Sequence, residues 1–149
     1  MKRHNSLIKL SKDHHQGLIV AQFVKRNAPA YHGLPTDTEG KRKYILAFWK
    51  DDLQNHFREE ENILIPALTG ADGMLDRLNN RVIGEHRLIE QIIDELKQSK
   101  DSEDELDRFG TALNDHIRFE EREWFERIQE TFSTDGLNKI EEKLTGASH

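Results

Sequence analysis

Three histidines recur at equal intervals along this chain, and each is followed four residues later by a glutamate. The pairs are His56 with Glu60, His86 with Glu90, and His116 with Glu120. In a helix, residues four apart lie on the same face, so each pair can direct an imidazole nitrogen and a carboxylate oxygen to one point. These donors, in a chain without cysteine, suit iron or manganese best and also accept zinc. The spacing therefore predicts a metal site built from helices.

Turn signals between the helices predict that these histidines lie at one height. In an antiparallel helical hairpin, residues equidistant from the turn lie level with each other. The midpoint of His56 and His86 is Ala71, inside the glycine-containing turn at 69–73. The midpoint of His86 and His116 is Asp101, in the next break of the helical pattern.

A histidine near the N-terminus is the matching candidate on the first helix. The midpoint of His14 or His15 with His56 falls at or beside Pro35, in a loop. His14 is preferred because it shares a helical face with apolar residues, although His15 also shares a face with Ile8 and Ile19 and stays an alternative. The apolar residues on the face of His14 are Leu7, Leu10, Leu18 and Ala21.

Four long stretches have the amphipathic pattern of a helix, and these helices must position the side chains. No stretch has the alternation that is typical of a β-strand. The first helix is predicted at about 6–27, with Ser6 as its N-cap. The second begins at Thr36 or Asp37 and ends at Pro66, with Ile63 and Leu64 on its inward stripe. The third covers about 74–99, and the fourth runs from a Ser102–Glu105 capping box to Ile128.

These patterns predict an all-α fold, an antiparallel up-down-up-down four-helix bundle with a short extra C-terminal helix. The length of 149 residues fits one domain over 1–149, with the bundle at about 6–130 and the extra helix at about 134–145. Burying four imidazoles and several carboxylates in such a core is costly, and a bound cation would offset that cost.

Composition excludes several other classes of function. The chain has no cysteine, which rules out disulfides, thiolate zinc sites and iron–sulfur clusters. A formal charge of −6 without a basic stripe argues against nucleic acid as a partner. The polar N-terminus and the lack of a long apolar run predict a cytoplasmic protein without a membrane partner.

At the candidate ligands the sequence resembles the hemerythrin-like family, also called HHE cation-binding domains, over about Leu7 to Ile128. The segment from His56 to Pro66, HFREEENILIP, is similar to the second-helix motif of the family. EHRLIE at 85–90 resembles the third-helix motif, HIRFEEREWF at 116–125 the fourth, and LSKDHH at 10–15 the first.

The resemblance implies two iron ions with carboxylate and oxo or hydroxo bridges. Glu60 and Glu120 would bridge them, and His14 (or His15), His56, His86 and His116 would be terminal ligands. The chain departs from the oxygen carriers of the family at Glu90, where they have a fifth histidine, and at Glu120 and Glu121, where they have an aspartate five residues after the histidine. Glu90 is either a ligand or an outer acceptor. Glu61 and Glu121 are expected on solvated faces.

These departures resemble the family branches linked to nitrosative stress, repair of iron centres and iron sensing. The leading hypothesis is a di-iron protein that binds or senses O₂, NO or a peroxide, or that handles iron. No nucleophile or general-base constellation indicates a classical enzyme, although redox or iron-repair activity fits the resemblance. The alternatives are a mononuclear metal-binding protein and a metal-free helical interaction module.

Overall fold

The computed structural model describes residues 2–99 and 101–147, and all regular structure in these residues is helical. Four helices form the predicted antiparallel bundle, and a fifth packs against the first helix and the C-terminal half of the second. The predicted fold class is therefore confirmed. The helices are α1 (Asn5–Phe23), α2 (38–68), α3 (Gly73–Gln98), α4 (103–131) and α5 (Thr134–Ala147). None of these helices is both long enough and apolar enough to cross a membrane.

Two of the long helices contain wider π-helical turns, in which the backbone hydrogen bond spans five residues instead of four. In α2 these turns are Trp49–Leu53 and Glu60–Leu64, and in α4 there is one at Glu120–Trp124. The backbone stays in the right-handed helical region at each junction, so both helices continue through the turns. The candidate ligands Glu60 and Glu120 each open such a turn.

The π turn after Glu60 changes which side chains of α2 face the core. Regular α-helical phase predicts that Ile63 and Leu64 point inward with Glu60. In the structure Leu64 and Ile65 are buried, whereas Ile63 is only half-buried. The extra residue in the turn rotates the rest of the helix, so the prediction for Ile63 was wrong.

Several helix ends differ from the sequence prediction for local reasons. His4, not Ser6, caps α1, since its side chain accepts a hydrogen bond from the Ser6 amide. Pro66 does not end α2, which continues to Leu68. The proline lies in the first turn after the π segment. Asp37 caps α2 as predicted, by accepting from the Gly40 amide.

The apolar core consists of two clusters with the candidate ligands between them along the bundle. One cluster includes Phe23, Ile45 and Phe109, at the end near the α1–α2 loop. The other includes Leu68 and Trp124, at the opposite end, where α5 adds Leu137 and Ile140. The layer of histidines and glutamates therefore lies in the middle of the bundle, away from both ends.

Candidate metal centre

Six ionisable side chains from all four bundle helices meet in this buried layer. Each is at most 4% exposed. They are His14 from α1, His56 and Glu60 from α2, His86 from α3, and His116 and Glu120 from α4. Burial of these polar groups without a partner would cost roughly several kcal/mol for each group.

These side chains form two groups that share both carboxylates. Glu60 and Glu120 belong to both groups, while His14 and His56 complete one group and His86 and His116 complete the other. Within each group, one potential ligand atom from every residue lies within 4.8 Å of the others. The two groups therefore fit a metal site, and they have both carboxylates in common.

All four imidazoles point their Nε2 atoms at the shared carboxylates. His14 Nε2 lies 2.8 Å from Glu120 Oε1, and His116 Nε2 lies 2.8 Å from Glu120 Oε2. On the other side, His56 Nε2 lies 3.2 Å from Glu60 Oε2, and His86 Nε2 lies 2.9 Å from Glu60 Oε1. Each carboxylate therefore contacts one histidine from each group.

Most of these inward atoms lack a hydrogen-bond partner among the described residues. The unpaired atoms are Nε2 of His14, His56 and His116, one oxygen of Glu60 and both oxygens of Glu120. Buried polar atoms are normally hydrogen-bonded, so a cluster of unpaired lone pairs needs another partner. Imidazole and carboxylate donors of this kind fit a divalent or trivalent transition-metal ion.

The outward nitrogens of the histidines are each held by an acid from a neighbouring helix. The Nδ1 contacts run from His14 to Glu121 at 2.6 Å, from His56 to Asp13 at 3.0 Å, from His86 to Glu61 at 2.7 Å, and from His116 to Glu85 at 2.7 Å. Each helix thus supplies the acid for the histidine of the next helix, and α4 supplies it for α1. Such acids fix Nδ1 as the protonated nitrogen and leave Nε2 free to bind a metal.

Each outer acid contacts a basic side chain on its outer side. The cations are Lys9 for Asp13, Arg87 for Glu61, Arg81 for Glu85 and Arg3 for Glu121. A basic residue, an acid and a histidine therefore lie in sequence from the surface towards each shared carboxylate. Burial raises the pKa of Asp13, Glu85 and Glu121, but their contacts with histidine and with these cations outweigh burial and lower it. The charged form of these acids makes stronger bonds to Nδ1.

The carboxylates hold the imidazoles in their protonated form when they are the only counter-charges. Burial lowers the pKa of His14, but its close contacts with the carboxylates of Glu120 and Glu121 outweigh burial and raise that pKa to about 9. Burial also opposes protonation of His86, and the contacts with Glu120 and Glu60 raise its pKa to about 10. A bound cation would replace these protons as the positive charge of the layer.

The structure separates the sequence candidates that meet in this layer from those that do not. His14 is buried in it, whereas His15 is exposed on the surface of α1. Glu90 joins neither group, because its carboxylate lies on the outer side of α3 and pairs with Arg87. The structure therefore does not bring His86 and Glu90 to one point, as their spacing predicted.

Sequence reasoning missed the outer acids. Glu61 and Glu121 were expected in solvent, but their side chains are only 17% and 28% exposed and bind His86 and His14. A signal was present, since an acid directly precedes or follows one candidate ligand on each helix. Adjacent residues of a helix point about 100° apart, which turns these acids towards the neighbouring helix.

Two phenylalanines cover parts of the layer. Phe57 stacks on His86 with ring centroids 3.7 Å apart and also contacts His116 edge-on at 5.7 Å. Phe125 stacks on His14 at 5.3 Å. A cavity of about 250 Å³ reaches the layer beside His14, His56 and His116, and His86 does not line it.

A four-helix bundle with buried histidines and glutamates shared between two groups defines a class of helical metal-binding domains. The family described as hemerythrin HHE cation binding domain matches residues 6–128. The chain belongs to this family, whose domains bind cations, and its buried clusters fit a metal site. No curated protein and no solved structure matches the chain.

Proposed function

We propose that this chain is a non-haem di-iron protein. One ion would be held by His14, His56, Glu60 and Glu120. The other would be held by Glu60, His86, His116 and Glu120. The observation that carries the proposal is the sharing of Glu60 and Glu120 by two pairs of histidines, because a mononuclear site would need only one pair.

The donor set favours iron or manganese over zinc. Four imidazoles and two carboxylates, with no thiolate, suit iron or manganese better than a structural zinc site, which is usually tetrahedral and often contains cysteine. Iron in such a centre would supply redox chemistry towards O₂, NO or a peroxide. The proposal includes the cytoplasmic location expected from the sequence.

The chain's own residues have three tasks in this proposal. The six inner side chains hold the ions. The outer acids keep each imidazole oriented with Nε2 inward. The phenylalanines and the two apolar clusters keep bulk water from most of the layer.

Metal analysis of the full chain, purified from iron-replete cells, tests the proposal. We expect about two iron ions for each chain, in keeping with two groups of ligands, and a ferric charge-transfer absorption. The double variant His56→Ala with His116→Ala removes one histidine from each group and should lose this absorption. One ion per chain would favour the mononuclear alternative, and no metal with unchanged stability in the double variant would favour a metal-free interaction module.

Reactivity then separates the di-iron functions. The reduced protein should be mixed with O₂ and, in a separate experiment, with NO, while the visible spectrum is recorded. A reversible spectrum with O₂ supports carriage or storage of oxygen. Irreversible oxidation by O₂ together with a stable NO adduct supports sensing or repair under nitrosative stress.

A further inference from the structure

The two proposed metal positions differ in their access to solvent. His14 and His56 both line the 250 Å³ cavity, so both histidines of one group face it. In the other group only His116 does so, because Phe57 forms part of the cavity wall and stacks on His86. The first position is therefore open towards the surface, and the second is covered by an apolar ring.

One outer acid of each group shows the same difference. Asp13, which binds His56, has 36% of its side chain exposed and lines the cavity. Glu61, which binds His86, is 17% exposed and lies beneath Arg87. The other two outer acids, Glu121 and Glu85, are alike in exposure at 28% and 26%, so the contrast lies at His56 and His86.

The outer end of the cavity carries a negative charge. Asp13, Asp51 and Asp52 line it, and Lys9 is the one lysine or arginine among the described residues of the lining. Lys9 is engaged by Asp13 and Glu59 at 3.2 and 2.9 Å. Asp51 and Asp52 are exposed and form no ion pair with the described residues, so their charges are free to act on an approaching cation.

The inner end of the cavity offers metal ligands. Nε2 of His14, of His56 and of His116 are buried and lack hydrogen-bond partners among the described residues. Apolar side chains, including Leu53 and Ile117, line the cavity as well. The negative charge at the outer end of the cavity attracts a cation, and the unpaired imidazoles at the inner end can then bind it.

We propose that this cavity is the path by which a divalent cation reaches and leaves the centre. The His14–His56 position exchanges its ion with solvent through it, and the His86–His116 position retains its ion. This inference rests on the proposed two-metal function. It assigns to Asp51 and Asp52 a role in uptake, although neither residue is a ligand.

Release of metal tests the difference between the positions. The full chain, loaded anaerobically with Fe²⁺, is mixed with an excess of a ferrous chelator, and release is followed by absorbance. We expect two phases of equal amplitude, with one ion leaving at least about tenfold faster, as for an exposed ligand site compared with a covered one. Release of both ions in a single phase would overturn the inference.

Uptake tests the role of the cavity mouth. Asp51→Asn with Asp52→Asn should slow Fe²⁺ uptake by about threefold or more at low salt and leave two ions bound at equilibrium. The matched control is Asp94→Asn with Asp101→Asn, which removes the same charge from exposed positions outside the cavity. The control should not slow uptake, and the difference between the variants should fade at high ionic strength.

A steric variant provides a second measurement. Leu53→Trp enlarges a wall residue and should slow the fast phase of release while the slow phase is unchanged. Equal uptake rates in the two charge variants, or an unchanged fast phase in Leu53→Trp, would contradict the path. A wild-type chain that binds no metal would overturn the proposed function as well, whereas two bound ions with unaltered rates would overturn the path alone.

Discussion

The pairs His56–Glu60 and His86–Glu90 have the same spacing, but only the first pair brings both of its members to the buried layer. Helix α2 opens into a π turn at Glu60, as α4 does at Glu120. Helix α3 stays regular from Gly73 to Gln98. We infer that the wide turn, which begins at the carbonyl of Glu60, sets the path of α2 beyond the glutamate, and that equal spacing alone does not make a ligand. π turns commonly mark functional positions in helices.

Neutralising each glutamate in turn tests whether Glu60 binds metal and Glu90 does not. Glu60→Gln removes a carboxylate that serves both groups, so we expect it to lose both ions. Its loss of affinity should exceed the roughly 10–100-fold that removal of an outer-shell partner costs. Glu90→Gln should still bind two ions, since Glu90 contacts Arg87 and belongs to neither group. Metal analysis after dialysis checks both variants, and equal stoichiometry in the two would refute the assignment of Glu60.

Removing the π turn tests whether it affects the position of Glu60. Deletion of Asn62, an exposed residue inside the turn, should return α2 to regular geometry. Leu64 and Ile65 then follow Glu60 at the positions that face inward in an α-helix, so the metal-free chain should lose only about 1 kcal/mol of stability. We expect metal affinity to fall nevertheless, because the straightened helix takes a different path through the bundle and shifts the carboxylate of Glu60.

Asn62→Ala is the control for that deletion, since it removes the side chain and keeps the residue count. It should bind two ions like the wild type. Chemical unfolding of the metal-free proteins and metal titration of each separate the two effects. Unchanged affinity in the deletion variant would show that the π turn has no part in aiming Glu60.

A smaller effect is expected from the acids that surround Arg87. Glu61 contacts both Arg87 and Nδ1 of His86, whereas Glu90 contacts only Arg87. Glu61→Ala should therefore lower affinity for one of the two ions by about 10–100-fold, the usual cost of losing an outer partner of a ligand. Glu90→Ala is the matched control, since Glu90 also contacts Arg87, and it should change metal affinity little. Competition with a chelator measures both, and an equal loss in both variants would assign the effect to Arg87.

The sequence predicted the level of the site because helical spacing and turn signals are local properties. His56, His86 and His116 follow from counting residues between turns, and the structure brings them together. The π turns were not predicted, since a single widened turn leaves no local residue pattern, and Ile63 was assigned to the wrong face. The contacts of Glu61 and Glu121 depend on which helices are neighbours, and this is a property of the assembled bundle.

The smallest effect is expected from Glu90→His, which introduces the residue that the oxygen carriers of the family have at this place. In this chain the side chain at 90 points towards Arg87, and Phe57 stacks on His86 within the layer. A histidine at 90 would have to displace that ring, which is 2% exposed and packed in the core.

We therefore expect Glu90→His to bind two ions with the same visible spectrum as the wild type. Its stability should change by no more than about 0.5 kcal/mol, as for most partly exposed substitutions. Glu90→Gln serves as the control for loss of the charge beside Arg87. A new charge-transfer band in Glu90→His alone would mean that Phe57 yields to a fifth imidazole, and that α3 can present a second ligand without a π turn.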